Sequence, residues 1–280
     1  MTTVTTETAE PDALPANPRR GKRTSGRALR AWTLLVLAWL FLPVAGMIVF
    51  GFNDTQGKFN NTWQGFTLRW YRDLFAIPDL TVALVNSLTI ATLTAVIAGA
   101  LGSLIGYALG RYRFRGAGLT DLVMFAAISA PEVVMGASLL SMYLNLGIPR
   151  GYLTILIAHV MFSVSFVAIT VRARTVTLDP SLEEAARDLG ATPAATFRLV
   201  TVPMLLPGIL AGAVLAFALS IDDFIITNFT AGSTQTFPLW IWGATRLGIP
   251  PQVNVMGTLI FAIGVIIAAA STLATRRNAR

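Results

Sequence analysis

The chain has 280 residues, of which 54% are hydrophobic and only 12% are charged, and its formal net charge is +7. Soluble domains carry about a quarter charged residues, so this composition argues against a water-soluble enzyme, a disordered protein and a nucleic-acid-binding protein. With no cysteine and a single histidine, His159, the chain offers no disulfide, no thiolate metal site and no multi-histidine cluster.

Residues 1–27 are rich in Thr, Pro and Arg and lack apolar periodicity, which predicts a disordered cytoplasmic tail. Six long, mainly apolar runs of residues, each with at most one charged residue, follow this tail. A helix needs about 20 apolar residues to cross about 30 Å of hydrocarbon, and a spanning segment in lipid must be helical. We therefore predict six transmembrane helices, the first an uncleaved anchor, within residues 31–53, 80–110, 122–149, 151–171, 199–221 and 247–275.

Glycines recur at four-residue spacing in two of these runs. They are Gly102, Gly106 and Gly110 in the second run and Gly208 and Gly212 in the fifth. This spacing lets helix backbones approach closely. It predicts either packing within one subunit or a contact between two subunits.

Residues 224–245 are also apolar, but their polar, turn-like centre and Pro238 predict an outer loop with an interfacial segment at 239–242. Sixteen of the 21 Lys and Arg residues lie in the N-terminal tail, in the connections after the second and fourth runs, and in the C-terminal tail. Cytoplasmic segments are enriched in these residues. Both termini are therefore predicted to be cytoplasmic, in agreement with an even number of spans.

The connection after the fourth run carries signals for a short helix. Ser181 and Glu184 have the spacing of a capping box, Gly190 suits a left-handed helix end, and Thr192-Pro193 suits the start of a second helix. A helix of about two turns held between two bends suits docking into a partner's groove. The alternative is an amphipathic helix that lies on the membrane surface.

The same connection resembles the EAA signature of ABC-importer permeases, EAA-x3-G-x9-I-x-L-P. Here Glu184-Ala185-Ala186 is followed at the right spacing by Gly190 and then by Val200-Thr201-Val202-Pro203, with valine at the isoleucine and leucine positions. The resemblance implies an all-α membrane protein with the six-helix type I permease fold. It also implies a coupling loop at 172–205 in which Glu184, Ala185, Ala186 and Gly190 contact an ATPase subunit. The family core would cover residues 81–275, after a first helix and outer interfacial segment at 28–80.

Three acidic residues lie in or at the end of the predicted spans. They are Glu132, Asp222 and Asp223, and no Lys or Arg within the spans can pair with them. A charge at mid-membrane costs about 2.5–3.5 kcal/mol on insertion scales, so such residues usually face a pathway or a partner. This asymmetry favours a cationic cargo. Alternatively, Ser129 and Glu132 form a capping box at a break in the third span. For Asp222 and Asp223 the alternative is that one of them reaches interfacial water, since neighbouring residues on a helix point about 100° apart.

The segment Leu219-Ser220-Ile221-Asp222-Asp223 resembles the LS-x-DD segment of spermidine/putrescine importer permeases, in particular the second permease of the pair. Segments that extend this resemblance are Phe66–Tyr71, Asn86–Leu88, Phe237–Leu239 and Gly248–Asn254. Carboxylates can pair with the ammonium groups of a polyamine, and aromatic rings can hold them by cation–π contact. We therefore predict a substrate pathway at Asp222, Asp223, Glu132, Phe224 and Trp240. The alternatives are interfacial anchoring for the aromatic residues and a packed, hydrogen-bonded role for His159.

The chain lacks a G-x-x-x-x-G-K-[ST] phosphate loop. The resemblance therefore implies a permease subunit of a prokaryotic plasma-membrane importer that is not itself an enzyme and binds neither metal nor nucleic acid. Its implied partners are a second permease, two ATPase subunits that use ATP and Mg²⁺, an extracytoplasmic binding protein and membrane lipid. The alternatives are an ABC permease for another small solute and an ATP-independent secondary transporter.

Overall fold

The computed structural model describes residues 26–57 and 59–278, so most of the predicted disordered tail, residues 1–25, lies outside the described residues. The regular secondary structure of the described residues is helical apart from one isolated antiparallel bridge, which joins Asn53 to Phe66. A π-helical turn, Phe197–Thr201, precedes α9. The α-helices are α1 Gly26–Phe50, α2 Arg69–Arg72, α3 Pro78–Arg111, α4 Ala117–Ser129, α5 Glu132–Asn145, α6 Tyr152–Thr175, α7 Ser181–Asp188, α8 Pro193–Thr196, α9 Val202–Ile221, α10 Ile225–Thr230, α11 Phe237–Ala244 and α12 Pro251–Asn278.

Four helical segments are each long and apolar enough to cross a membrane: 28–50, 78–111, 152–175 and 193–221. The pair α4 and α5 passes the same test jointly, which raises the number to five if the bent pair is one span. In α12 the apolar part of the described residues is Pro251–Ile266, which is shorter. The all-α prediction is thus confirmed, whereas the sixth span and the cytoplasmic termini stay predictions.

The spaced glycines form the centre of the helical bundle. Helices α3, α6 and α9 all pack against one another, and these glycines of α3 and α9 face α6. A Cβ on Gly102 or Gly212 would lie 2.7 Å or 2.9 Å from side-chain atoms of Val167, and a Cβ on Gly106 only 2.4 Å from the carbonyl oxygen of Ala168. These glycines therefore serve packing within one subunit, which decides between the two alternatives left open by their spacing.

The third predicted span is broken as expected at Glu132. Helices α4 and α5 meet at an angle of 105°. The break lies at Ala130 and Pro131, and both have extended ψ angles, near 130°. Proline disfavours the helical conformation of the residue before it, which explains the position of the break. The predicted capping box is wrong, however, because Ser129 is the last residue of α4 and no side chain caps α5.

The segment between α1 and α3 is held together by Asn53, which is fully buried. Its amide group donates to the Asn60 side chain and the Thr62 carbonyl, each at 2.7 Å. Its side-chain oxygen accepts from the Gln64 N–H, and its backbone carbonyl accepts from the Trp70 indole, also at 2.7 Å. This segment is therefore an ordered cap on the bundle.

Residues 224–245 contain no spanning helix. They form the short helices α10 and α11 with a turn between them, as the polar centre of this stretch predicts. The turn is attached to the start of α3, where the Asn86 amide donates to the Gln235 carbonyl at 2.8 Å. The Phe237 N–H donates to Ser87 Oγ at 2.9 Å. This attachment fixes α11 and its tryptophans beside the end of the bundle where α3 begins.

Candidate functional site

The helix α7 has the predicted length and the predicted end. Gly190 has φ of +88°, its N–H donates to the Arg187 carbonyl at 2.9 Å, and the Ala191 N–H donates to the Ala186 carbonyl at 3.0 Å. This is the Schellman pattern, in which a left-handed glycine satisfies the last carbonyl groups of a helix. The following helix begins as predicted, because the Thr192 side chain accepts the Ala195 N–H at 3.3 Å.

The start of α7 differs from the prediction. Ser181 is already helical, and the capping box with Glu184 does not form. Instead Asp179 Oδ1 accepts the Ser181 N–H at 2.9 Å. This backbone hydrogen bond to the charged carboxylate is the main reason that the pKa of Asp179 lies below its usual value. Asp179, two residues before Ser181, therefore accepts the Ser181 N–H that the capping box assigned to the Glu184 side chain.

The motif residues of α7 are accessible. Glu184 and Ala185 are exposed and Ala186 is half-buried. Two leucines on the same short segment, Leu182 and Leu189, are 49% and 89% exposed. An exposed carboxylate beside exposed apolar side chains forms a surface that can dock onto a partner or rest on a membrane.

The residue that attaches α7 to the bundle is Glu183, which the sequence did not single out. Its carboxylate is buried and accepts hydrogen bonds from Tyr107 and Arg111 on α3 and from Thr201 in the π-helical turn. Arg111 also forms an ion pair with it at 3.0 Å. No spacing rule marks this position, because its partners lie 76 and 72 residues earlier and 18 residues later in the chain.

The two adjacent aspartates have different surroundings. Asp223 is buried; its Oδ2 lies 3.2 Å from His159 Nε2 and accepts hydrogen bonds from the N–H and hydroxyl of Thr227, both at 2.8 Å. His159 Nδ1 in turn lies 2.7 Å from Ser220 Oγ. The histidine is thus packed and hydrogen-bonded between α6, α9 and α10. Asp223 is satisfied within the subunit, by a histidine rather than by Lys or Arg.

Asp222 is exposed. Helix α9 ends at Ile221 and α10 begins at Ile225, so the expectation that the two aspartates point about 100° apart on one helix is wrong. They diverge because they lie in the break between two helices. The next residue along, Phe224, packs against Trp242 with 5.2 Å between ring centroids.

The other two predicted pathway residues lie elsewhere. Glu132 is exposed in the first turn of α5, where a negative charge complements the helix N-terminus. Trp240 packs against a cluster that contains Leu80 and Met256 and lines a cleft of about 630 Å³ together with Trp70. Within the described residues, no group of three or more His, Asp or Glu side chains is arranged to hold a metal ion.

The sequence matches a family model over residues 102–278, and the family is described as the binding-protein-dependent transport system inner membrane component. The chain is 37% identical over 253 residues to the spermidine/putrescine transport system permease protein PotC of Escherichia coli K12, which covers 90% of this chain and 95% of that protein. It is also 37% identical over 248 residues to the putrescine transport system permease protein PotI of the same strain, with coverage of 84% and 88%.

Solved ABC transporters share the fold. A bacterial transporter that imports the acidic polysaccharide alginate aligns with a TM-score of 0.65 at 15% identity, covering 93% of this chain and 99% of that chain. The methionine transporter MetNI aligns with a TM-score of 0.53 at 18% identity, covering 72% and 98%. At these identities the likeness concerns the fold alone.

Proposed function

The chain belongs to the family of binding-protein-dependent transport system inner membrane components, and from this premise we propose that it is a permease subunit of an ATP-driven polyamine importer. The observation that carries the proposal is the 37% identity to two polyamine permeases over most of the chain. The predicted transport role and inner-membrane location agree with this family.

The proposed assembly contains a second permease, two ATPase subunits and an extracytoplasmic binding protein. This chain has no phosphate-binding loop, so ATP and Mg²⁺ would be used by the ATPase subunits. The exposed Glu184 and Ala185 on α7, with Ala186 and the bend at Gly190, are the proposed docking surface for an ATPase subunit. Closure of the ATPases on ATP would move α7 and open the cavity outward, and hydrolysis would reset it.

The cargo is proposed to be a polyamine because the exposed acidic and aromatic groups suit a flexible polycation. Asp222 offers a carboxylate that is not engaged by another side chain of the described residues. The neighbouring Phe224–Trp242 pair offers aromatic faces that can hold an ammonium group. Glu132 and Trp240 remain further proposed pathway positions, and Asp223 would act indirectly by fixing the break that presents Asp222.

The two aspartates provide a matched pair of variants. We expect Asp222→Asn to lower polyamine uptake about tenfold without changing thermal stability. A tenfold effect is equivalent to about 1.4 kcal/mol of binding free energy. Asp223→Asn should instead lower the free energy of unfolding by about 1–3 kcal/mol, the cost of leaving buried hydrogen-bonding groups unsatisfied. Uptake kinetics and thermal unfolding of the purified complex measure both. Wild-type uptake by Asp222→Asn would contradict a cargo role for this residue.

The six-span topology is proposed from the charge distribution and from α12, whose 28 residues correspond to about 42 Å of helix. Because the sequence contains no cysteine, a single introduced cysteine is the one thiol of this chain that a maleimide can label. In intact cells we expect a membrane-impermeant maleimide to label Ser233→Cys, but to label Ser181→Cys and Ala279→Cys only after permeabilisation. Labelling of Ala279→Cys in intact cells would contradict a cytoplasmic C-terminus.

The cargo is tested by ATP hydrolysis in the reconstituted complex with its binding protein. Putrescine, spermidine or spermine should stimulate hydrolysis, whereas 1,5-pentanediol, a flexible chain of similar length without charge, should not. Equal stimulation by the diol, or none by any polyamine, would contradict a polyamine cargo and leave the family assignment unaffected.

A further inference from the structure

The helix α7 is attached to the rest of the protein by an unusual contact. Glu183 is the single buried residue of this helix and is only 6% exposed. Surface helices usually attach through an apolar face, but the leucines next to α7's motif are exposed, and an ionisable side chain points inward instead. The connection between the docking surface and the membrane helices is therefore polar.

The Glu183 carboxylate contacts both α3 and the π-helical turn that leads into α9, two parts of the bundle that pack against each other and against α6. Its Oε2 accepts from Nε of Arg111 and lies 3.0 Å from Nη2 of the same residue, in the last turn of α3. Its Oε1 accepts from Thr201 at 2.9 Å, just before α9, and from Tyr107 at 3.3 Å. Through this one carboxylate, α7 is attached both to α3 and to the turn that precedes α9.

The hydrogen-bond geometry around Glu183 opposes a sliding movement of α7 relative to α3 and α9. Apolar contacts are non-directional, so a helix held by them can shift while keeping its burial. A buried carboxylate with several donors has one favourable arrangement, and loss of its charge leaves Arg111 without its partner. Arg111 further donates to the Pro180 carbonyl at the start of α7, which holds the same end of the helix.

We propose that Glu183 is the positioning residue that transmits the movement of α7 to α3 and α9 and thereby couples ATP hydrolysis to transport. The inference rests on the proposed function, because it assumes that α7 is moved by an ATPase subunit. It assigns Glu183 a role distinct from that of Glu184, which lies on the exposed surface and would contact the ATPase itself.

The test is the number of ATP molecules hydrolysed for each polyamine transported by the whole reconstituted complex. Glu183→Gln keeps the size of the side chain and an acceptor for Thr201, but removes the charge that pairs with Arg111. We expect this ratio to rise at least fivefold while the ATPase subunits still co-purify. Thr201→Val, which removes one hydrogen bond and keeps the ion pair, should raise the ratio less. The matched control Asp188→Asn, a carboxylate-to-amide change at an exposed position of α7, should leave the ratio unchanged.

The outcomes separate this inference from the proposed function. A wild-type complex that transports no polyamine would contradict the proposed function. A Glu183→Gln complex with the wild-type ratio would contradict the inference alone. If Glu183→Gln does not assemble, Thr201→Val decides, since an unchanged ratio or loss of the ATPase subunits in that variant would show that the cluster only maintains structure.

Discussion

Replacing Gly106 by alanine is expected to lower the free energy of unfolding by about 1–3 kcal/mol, the usual cost of overpacking, and replacing it by leucine is expected to prevent folding. A Cβ at this position would lie 2.4 Å from the Ala168 carbonyl oxygen and 3.0 Å from the Arg172 nitrogen. Both are backbone atoms, so no side-chain rotation can relieve the clash, and α3 and α6 must move apart.

The control for this prediction is Gly46→Ala in α1, where a Cβ would have no neighbour within 4 Å. Both substitutions remove a glycine from a helix interior, a change that by itself stabilises a helix by about 0.5–1 kcal/mol. The difference in thermal unfolding between the two purified variants therefore reports packing. Equal stability of the two would contradict the close approach of α3 and α6.

Replacing Gly190 by proline is expected to reduce transport at least tenfold while the chain still inserts into the membrane. Proline fixes φ near −65° and has no N–H, whereas Gly190 has φ of +88° and donates to the Arg187 carbonyl. The end of α7 and the bend before α8 would therefore be lost. Uptake assays with quantified membrane levels measure the effect.

Gly190→Asn is the matched control, because asparagine tolerates the left-handed conformation better than other non-glycine residues. It should retain most of the uptake. Wild-type uptake by Gly190→Pro would contradict the assignment of α7 as a coupling helix. Loss of uptake in both variants would show that the side-chain space at this position, rather than the backbone conformation, is what transport requires.

Local signals in the sequence predicted local structure well. Gly190 and Thr192-Pro193 marked helix ends because left-handed glycine and capping threonine act within one turn of the chain. Pro131 acted in the same way at the break between α4 and α5. The two predicted capping boxes were wrong for different reasons. Ser129 belongs to the end of α4, and no side chain caps α5. At α7, Asp179 rather than Glu184 accepts the Ser181 N–H.

Long-range partners were not predictable from the sequence. The burial of Glu183 depends on Tyr107 and Arg111, and that of Asp223 depends on His159, all more than 60 residues away. The predicted spans contain no Lys or Arg that could pair with Glu132, Asp222 and Asp223, which suggested that these acids lack partners. His159, on α6 beside α10, provides such a partner for Asp223 and leaves Asp222 and Glu132 as the exposed carboxylates of the three.

We propose that this chain forms the membrane pathway of a polyamine importer together with a second permease, and that a partner ATPase drives transport. The most direct measurement is uptake of radiolabelled spermidine into proteoliposomes that contain the complete complex, with the binding protein outside and ATP enclosed. We expect accumulation that requires enclosed ATP and disappears when the ATPase subunits are omitted. Accumulation by the permease chains alone, driven by a proton or sodium gradient, would contradict the account.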